Sequence, residues 1–216
     1  MKKITTLIIL SFSVFLAGCE KKPNEDESPE TPIEDEIMLP SEDELKALPY
    51  YSFLKANNPI VVISVKDYGE MMIELFPDVA KVTVDNFINY VNSKDYQNSS
   101  FHRIIKNFMI QGGIVKNTQP PIVGEFSSNG ISNSLLHDRG VISMARTMVN
   151  NSATSQFFVM HAKSPHLDGN YAGFGGLLKG FEVLDQIANV KTNPSDAPTT
   201  PVVIENVTLY LRGYQK

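Results

Sequence analysis

The sequence predicts a mainly β fold, a closed antiparallel barrel capped by two helices. Seven or eight short β-rich runs are spread along the folded part, two stretches carry helical periodicity, and the connections read as mostly antiparallel. Many short strands leave unpaired edges unless the sheet closes on itself, so closure is favoured over an open sheet.

The N-terminus stands apart from this pattern. Lys2 and Lys3 form a positive start, Ile4 to Leu16 a largely apolar run, and Leu16-Ala17-Gly18 lead into Cys19, the arrangement of a secretory signal peptide. The run is too short to span a bilayer. Its Leu-Ala-Gly-Cys ending resembles the bacterial lipoprotein box, in which the cysteine is acylated, palmitate among the acyl groups, and becomes the new N-terminus. An ordinary cleaved signal followed by an incidental cysteine is the alternative. Cys19 is the single cysteine, which rules out an intramolecular disulfide and a cysteine-based zinc site. From Glu20 to Lys46 eleven acids face three lysines, a net of −8, whereas the rest from Ala47 carries fourteen bases and thirteen acids. A near-neutral folded part with no basic stripe excludes nucleic acid as an expected partner. Residues 1–18 are thus expected to be the signal peptide, 19–57 an acidic, Pro-rich disordered tether, and 58–216 the folded domain. Within the tether, Ser41 with Glu44 three residues on marks a short helix near Ser41 to Leu48.

Order is expected from Pro59. Ile60 to Val65 and Glu70 to Leu75 read as a hairpin turned through Asp67-Tyr68-Gly69. Asp78 is placed to cap the helix that follows, in which Ala80, Val84, Phe87, Ile88 and Val91 fall on one face. Pro120 to His137 reads as a long surface loop, Arg139 to Ala145 and Gln156 to His161 as strands, and Arg146 to Ser155 as irregular. Gly173, Gly175 and Gly176 beside Phe174 mark a place where backbones approach closely. Phe181 to Val190 is a second helix with Val183, Leu184 and Ile187 inward. Pro201 to Leu211 is a closing strand whose partner lies early in the chain.

The most unusual stretch is Phe101 to Gly113, FHRIIKNFMIQGG, where one arginine sits within two apolar runs. Strand alternation would set Phe101, Arg103 and Ile105 on one face. Arg103 is then either an edge residue reaching solvent over its apolar stem or a cation held among hydrophobes for binding. The four histidines, His102, His137, His161 and His166, show no metal-binding helical spacing, and Ser143 and Ser155 have no nucleophile-elbow context. The glycine cluster lacks the ending of a phosphate loop. Neither a metal, a nucleotide nor a hydrolase nucleophile is indicated. What remains, Phe108, Met109, Gln111, Phe158, Leu167 and Tyr171 with one arginine, suits an apolar, uncharged ligand, although each residue alone also fits plain core.

These segments are similar to the cyclophilin family of peptidyl-prolyl isomerases over roughly Asn58 to Tyr214. FHRIIKNFMIQGG, GVISMAR, NSATSQFFV and LDGNYAGFG stand in the family's order and spacing. The resemblance implies an eight-stranded antiparallel barrel with two capping helices and a proline-binding groove on its outer face. It places the catalytic arginine on Arg103, with Phe108 and Gln111 in the catalytic set. The proline pocket falls on Phe108, Met109, Phe158 and Leu167, and the substrate backbone pairs near Ala145 and Arg146. His166 stands where well-studied members have a tryptophan that helps bind cyclosporin, and Tyr171 where they have a histidine at the pocket rim, so weak cyclosporin binding is expected. The expected function is that of an isomerase (rotamase) acting without a cofactor on proline-containing polypeptides in extracytoplasmic folding. The chain is expected to be a monomer anchored at the cell membrane through lipidated Cys19. A non-catalytic proline-peptide binding or chaperone module on the same fold is the alternative.

Overall fold

The computed structural model describes residues 37–216; the readings of the signal peptide, of Cys19 and of the tether as far as residue 36 lie outside the described residues. The compact unit begins at Leu39. Its first element is the expected short helix, α1 (Glu42–Lys46). Ser41 Oγ accepts from the Glu44 N–H at 3.4 Å, and Glu44 Oε2 accepts from the Ser41 N–H at 2.8 Å, so two orphan donors are satisfied reciprocally. Residues 39–57, expected to belong to the disordered tether, are therefore part of the packed unit. The charge run ends at Lys46, and beyond it Leu48, Tyr50, Phe53 and Leu54 supply enough apolar surface to pack on the barrel. Tyr50 is fully buried and its hydroxyl donates to the Leu177 carbonyl at 2.6 Å.

The hairpin β1 (Ile60–Val65) and β2 (Gly69–Leu75) turns through left-handed Asp67 and Gly69, as the turn residues predict. Helix α2 (Lys81–Asn92) buries the predicted face, with Ala80, Val84, Phe87 and Ile88 fully enclosed. Its cap is not Asp78, which pairs with Lys55 instead. The helix starts after Ala80, too far along for Asp78 to reach, and the Glu125 carboxylate accepts from the Val82 and Thr83 N–H groups at 3.1 and 2.7 Å. The 120–137 stretch is accordingly not a simple surface loop: it buries Glu125, Phe126, Leu135 and His137.

Next come β3 (Ser99–Phe101), β4 (Arg103–Ile105), β5 (Met109–Gly112), β6 (Val141–Met144), β7 (Phe157–Met160), β8 (Gly173–Lys179), α3 (Phe181–Ala188) and β9 (Val202–Tyr210). All neighbours pair antiparallel in the order β3-β9-β1-β2-β8-β6-β7-β5-β4. The two ends of this sheet, β3 and β4, are one run of chain interrupted at His102, whose N–H donates to the Gln111 carbonyl at 2.9 Å. Nine strands thus stand where the resemblance implies eight, because one edge run is cut in two, and the barrel is nearly closed. The same interruption adds a residue to the alternation. Phe101 and Ile104 both point inward, while Arg103 and Ile105 lie outside, so Phe101 does not share the face of Arg103.

Two apolar layers result. The barrel interior holds Phe87, Tyr96, Phe157 and Phe174 among aliphatic side chains, with Phe157 edge-on to Phe87 at 5.4 Å. An outer layer holds Tyr50, Phe76, Met109, Phe158, Met160 and Leu167. The FFVM run of β7 serves both, which is why it reads as continuously apolar. Close approach explains the glycine cluster: a Cβ at Gly176 would sit 2.3 Å from the Tyr50 ring. Among the described residues no helix is long and apolar enough to cross a membrane.

Candidate active site

Strand register brings distant residues into one row. Arg103 on β4 pairs with Gln111 on β5, Gln111 with Phe158 on β7, and Phe158 with Ser143 on β6. One step along, Ile105 faces Met109 and Met109 faces Met160. Adjacent strands hold these side chains about 5 Å apart with little freedom. Phe108 stands at the turn into β5, where Asn107 is left-handed and the Phe108 carbonyl accepts from the His161 N–H at 2.9 Å. Leu167 ends a short 3-10 turn opened by Pro165. Together Arg103, Phe108, Met109, Gln111, Ala145, Arg146, Phe158, Leu167 and Tyr171 line a cavity of about 140 Å³.

Of the candidates read from the sequence, His166 alone is not in this lining. Its exposed ring lies 5.5 Å from that of Phe108, so it stands against a pocket wall without lining the cavity. Gln111 Nε2 donates to Gln156 Oε1 at 3.1 Å, and the Ala145 N–H donates to the Gln156 carbonyl at 2.9 Å. Arg146 lies between the rings of Phe126 and Tyr171, 5.0 and 4.6 Å from their centroids, and donates to the Asn170 and Thr147 carbonyls. Arg103 Nε is 3.4 Å from Asp196 Oδ2, and its side chain is 42% exposed. A larger cavity of about 330 Å³ between Phe53, Asn58, Phe76 and Asn133 has more room, but its cation, Lys55, is paired with the Asp78 carboxylate of the same lining.

Beneath the pocket lies a buried polar chain that sequence reasoning missed. Asp168 Oδ1 accepts from the His137 N–H at 2.7 Å and from Nδ1–H at 3.0 Å, which leaves Nε2 to accept from Ser143 Oγ at 3.1 Å. Burial holds the His137 pKa below its ordinary value, partly countered by Asp168. The residue order is that of a hydrolase triad, yet Ser143 is fully enclosed in the sheet and no substrate reaches it. The chain instead fixes the pocket: His137 stacks on Phe158 at 6.1 Å, and Asp168 follows Leu167 directly. Gln156 lies inside a motif already singled out, whereas Asp196 and Phe126 sit in polar loops whose local pattern gives no sign of the contact.

A small apolar seat beside an outward guanidinium, on neighbouring strands of a barrel, has the size of a ring-shaped uncharged group and a hydrogen-bond donor next to it. Residues 60–209 match the model of the family described as cyclophilin type peptidyl-prolyl cis-trans isomerase/CLD. Peptidyl-prolyl cis-trans isomerase CYP18-1 of Arabidopsis thaliana is 40% identical over 146 residues, covering 66% of this chain and 91% of the relative. Peptidyl-prolyl cis-trans isomerase B of Escherichia coli is 37% identical over 161 residues, covering 66% and 95%. A solved Cryptosporidium parvum cyclophilin type isomerase, crystallised in the presence of the dipeptide Ala-Pro, superposes with a TM-score of 0.64 at 31% identity, covering 70% of this chain and 98% of that one. The chain belongs to the cyclophilin family of peptidyl-prolyl cis-trans isomerases, and the reaction is rotation about X-Pro bonds.

Proposed function

We propose that Arg103 stabilises the half-rotated prolyl bond while Phe108, Met109, Phe158 and Leu167 hold the ring, and that the enzyme serves proline-containing polypeptides outside the cytoplasmic membrane, anchored through acylated Cys19. Amide rotation is opposed by about 18 to 20 kcal/mol because conjugation is lost at the halfway twist. No nucleophile or proton carrier is needed. At the twist the prolyl nitrogen regains a lone pair, and a guanidinium N–H can donate to it, an interaction absent in both planar ground states. The observation that carries this reading is that Arg103 and the apolar ring seat share one cavity on paired strands. Gln111, held by Gln156, and the backbone at Ala145 and Arg146 are placed to grip the flanking chain while it turns. Support for a proline-containing peptide as substrate comes from the Ala-Pro dipeptide present with the Cryptosporidium parvum relative.

Arg103→Ala should lower kcat/KM on an Ala-Pro peptide by about one to two decades, the value of a charge-assisted hydrogen bond of roughly 1.5 to 3 kcal/mol. Nearly full activity in an NMR exchange assay would remove Arg103 from the mechanism. A wild-type protein that binds the peptide without accelerating exchange would favour the binding-module reading. With His166 in place of a tryptophan and Tyr171 at the rim, cyclosporin binding is weak, and the enzyme acts as a monomer.

The membrane part rests on the Leu16-Ala17-Gly18-Cys19 motif. More than one acyl chain is needed for stable anchoring. Cys19→Ala should move the protein from the membrane fraction to the soluble one; undiminished retention would count against the anchor.

A further inference from the structure

We infer that Asp196 is a positioning residue for Arg103, a role that rests on the catalytic reading of that arginine. Asp196 lies 93 positions further along the chain, in the loop between α3 and β9, yet it meets β4 twice. Its carbonyl accepts from the Ile104 N–H at 2.8 Å, next to Arg103 in sequence, and its carboxylate Oδ2 lies 3.4 Å from Arg103 Nε. The loop is built to hold this pose. Asn193 Oδ1 accepts from the Ser195 and Ala197 N–H groups at 2.9 and 3.0 Å, Asn193 N–H donates to the Ala197 carbonyl at 2.8 Å, and Asp196 N–H donates to the Asn193 carbonyl at 3.0 Å. Asp196 itself is left-handed at φ 62°, a conformation that aspartate and asparagine tolerate better than most residues.

The consequence is chemical. An arginine that is 42% exposed would otherwise sample many rotamers. The Asp196 carboxylate, which is not part of the pocket lining, pairs with Nε and so biases the orientation of the guanidinium, leaving Nη1 and Nη2 for the prolyl nitrogen. Donors that are already aimed need no reorganisation as the bond twists. The gain belongs to the rotating state, so it appears in kcat and not in KM.

Asp196→Asn is the informative variant, because it keeps the left-handed backbone and the Ile104 contact while removing the charge. In the full chain it should lower kcat about two- to fivefold with KM unchanged, the range expected for an exposed ion pair. Asp196→Lys, which repels the guanidinium, should lower kcat further. In an Arg103→Lys background, where no Nε remains in the same place, Asp196→Asn should have no additional effect. The Arg103 Nε–H resonance of the full chain should shift in Asp196→Asn while other backbone amides hold their positions. Unchanged kcat in Asp196→Asn overturns the inference, as does an equal loss in both backgrounds, which would mark a merely structural loop. Near-wild-type turnover in Arg103→Ala sinks the reading of the site itself, whatever the Asp196 variants do.

Discussion

His137 carries more of the site than its enclosed position suggests. It joins Asp168 to Ser143 and stacks on Phe158, so the pocket floor depends on a ring kept neutral by burial. Its pKa in the folded chain lies below the unfolded value of about 6.5, so the unfolded chain takes up the proton first as pH falls. The stability this group contributes is therefore fully present above about pH 6.5 and lost as pH drops through the folded pKa. His102 shifts in the same direction, chiefly through burial, while Glu74, raised by burial, contributes the opposite sign. The comparison of variants isolates the effect: the urea midpoint of the wild type should fall between pH 8 and pH 5 more steeply than that of His137→Gln. Parallel slopes would show that another group sets the acid response. Residue identity alone could not reveal this chain, since His137 and Ser143 look ordinary until β6 and the 120–137 stretch are packed together.

At the scale of elements, the helices show what periodicity conveys and what it hides. The inward face of α2 is legible because a 3.6-residue period is a property of the local sequence. Its cap is not, because Glu125 arrives from 42 positions away and accepts from the Thr83 N–H and hydroxyl at 2.7 and 2.6 Å. Asp78 carried the right chemistry at the wrong distance from the first turn. Removing a buried carboxylate that answers two helix donors and a hydroxyl leaves them unsatisfied. Glu125→Ala should thus destabilise by roughly 2 to 4 kcal/mol, with Glu125→Gln losing about half as much. Urea denaturation decides it, and a loss within about 0.5 kcal/mol would assign the helix start to solvent. The same limit governs the strand run at His102. Alternation assumes an uninterrupted strand, so one extra residue was enough to part Phe101 from Arg103 while leaving the Arg103–Gln111–Phe158 row intact. That row was legible as residue types, and only antiparallel register made it a site.

Over the whole molecule, the segment from Leu39 to Asn57 precedes the family match at residue 60 and is nonetheless part of the packed unit. Tyr50 occupies a seat that exists because residue 176 is glycine, and the buried Glu74 carboxylate accepts from the Lys55 N–H and Asn58 Nδ2, both at 2.8 Å. Arg212 near the C-terminus reaches the same carboxylate at 3.5 Å, so both ends of the unit are tied to β2. Composition concealed this, because the acids up to Glu44 dominate any window that includes the aromatics after them. If the segment is structural, Tyr50→Ala empties a volume the size of a ring and leaves the Leu177 carbonyl without its donor, which should lower stability by about 3 to 5 kcal/mol. Arg103, Phe108 and Gln111 rest on β4, β5 and the turn between them, away from this seat, so the folded fraction should keep its isomerase activity. Thermal unfolding and exchange kinetics on the same sample separate the two effects. A protein that melts like wild type would mean that the segment merely covers the barrel, and one that stays folded but loses turnover would mean that the outer layer shared by Tyr50, Met109 and Phe158 transmits the damage to the pocket.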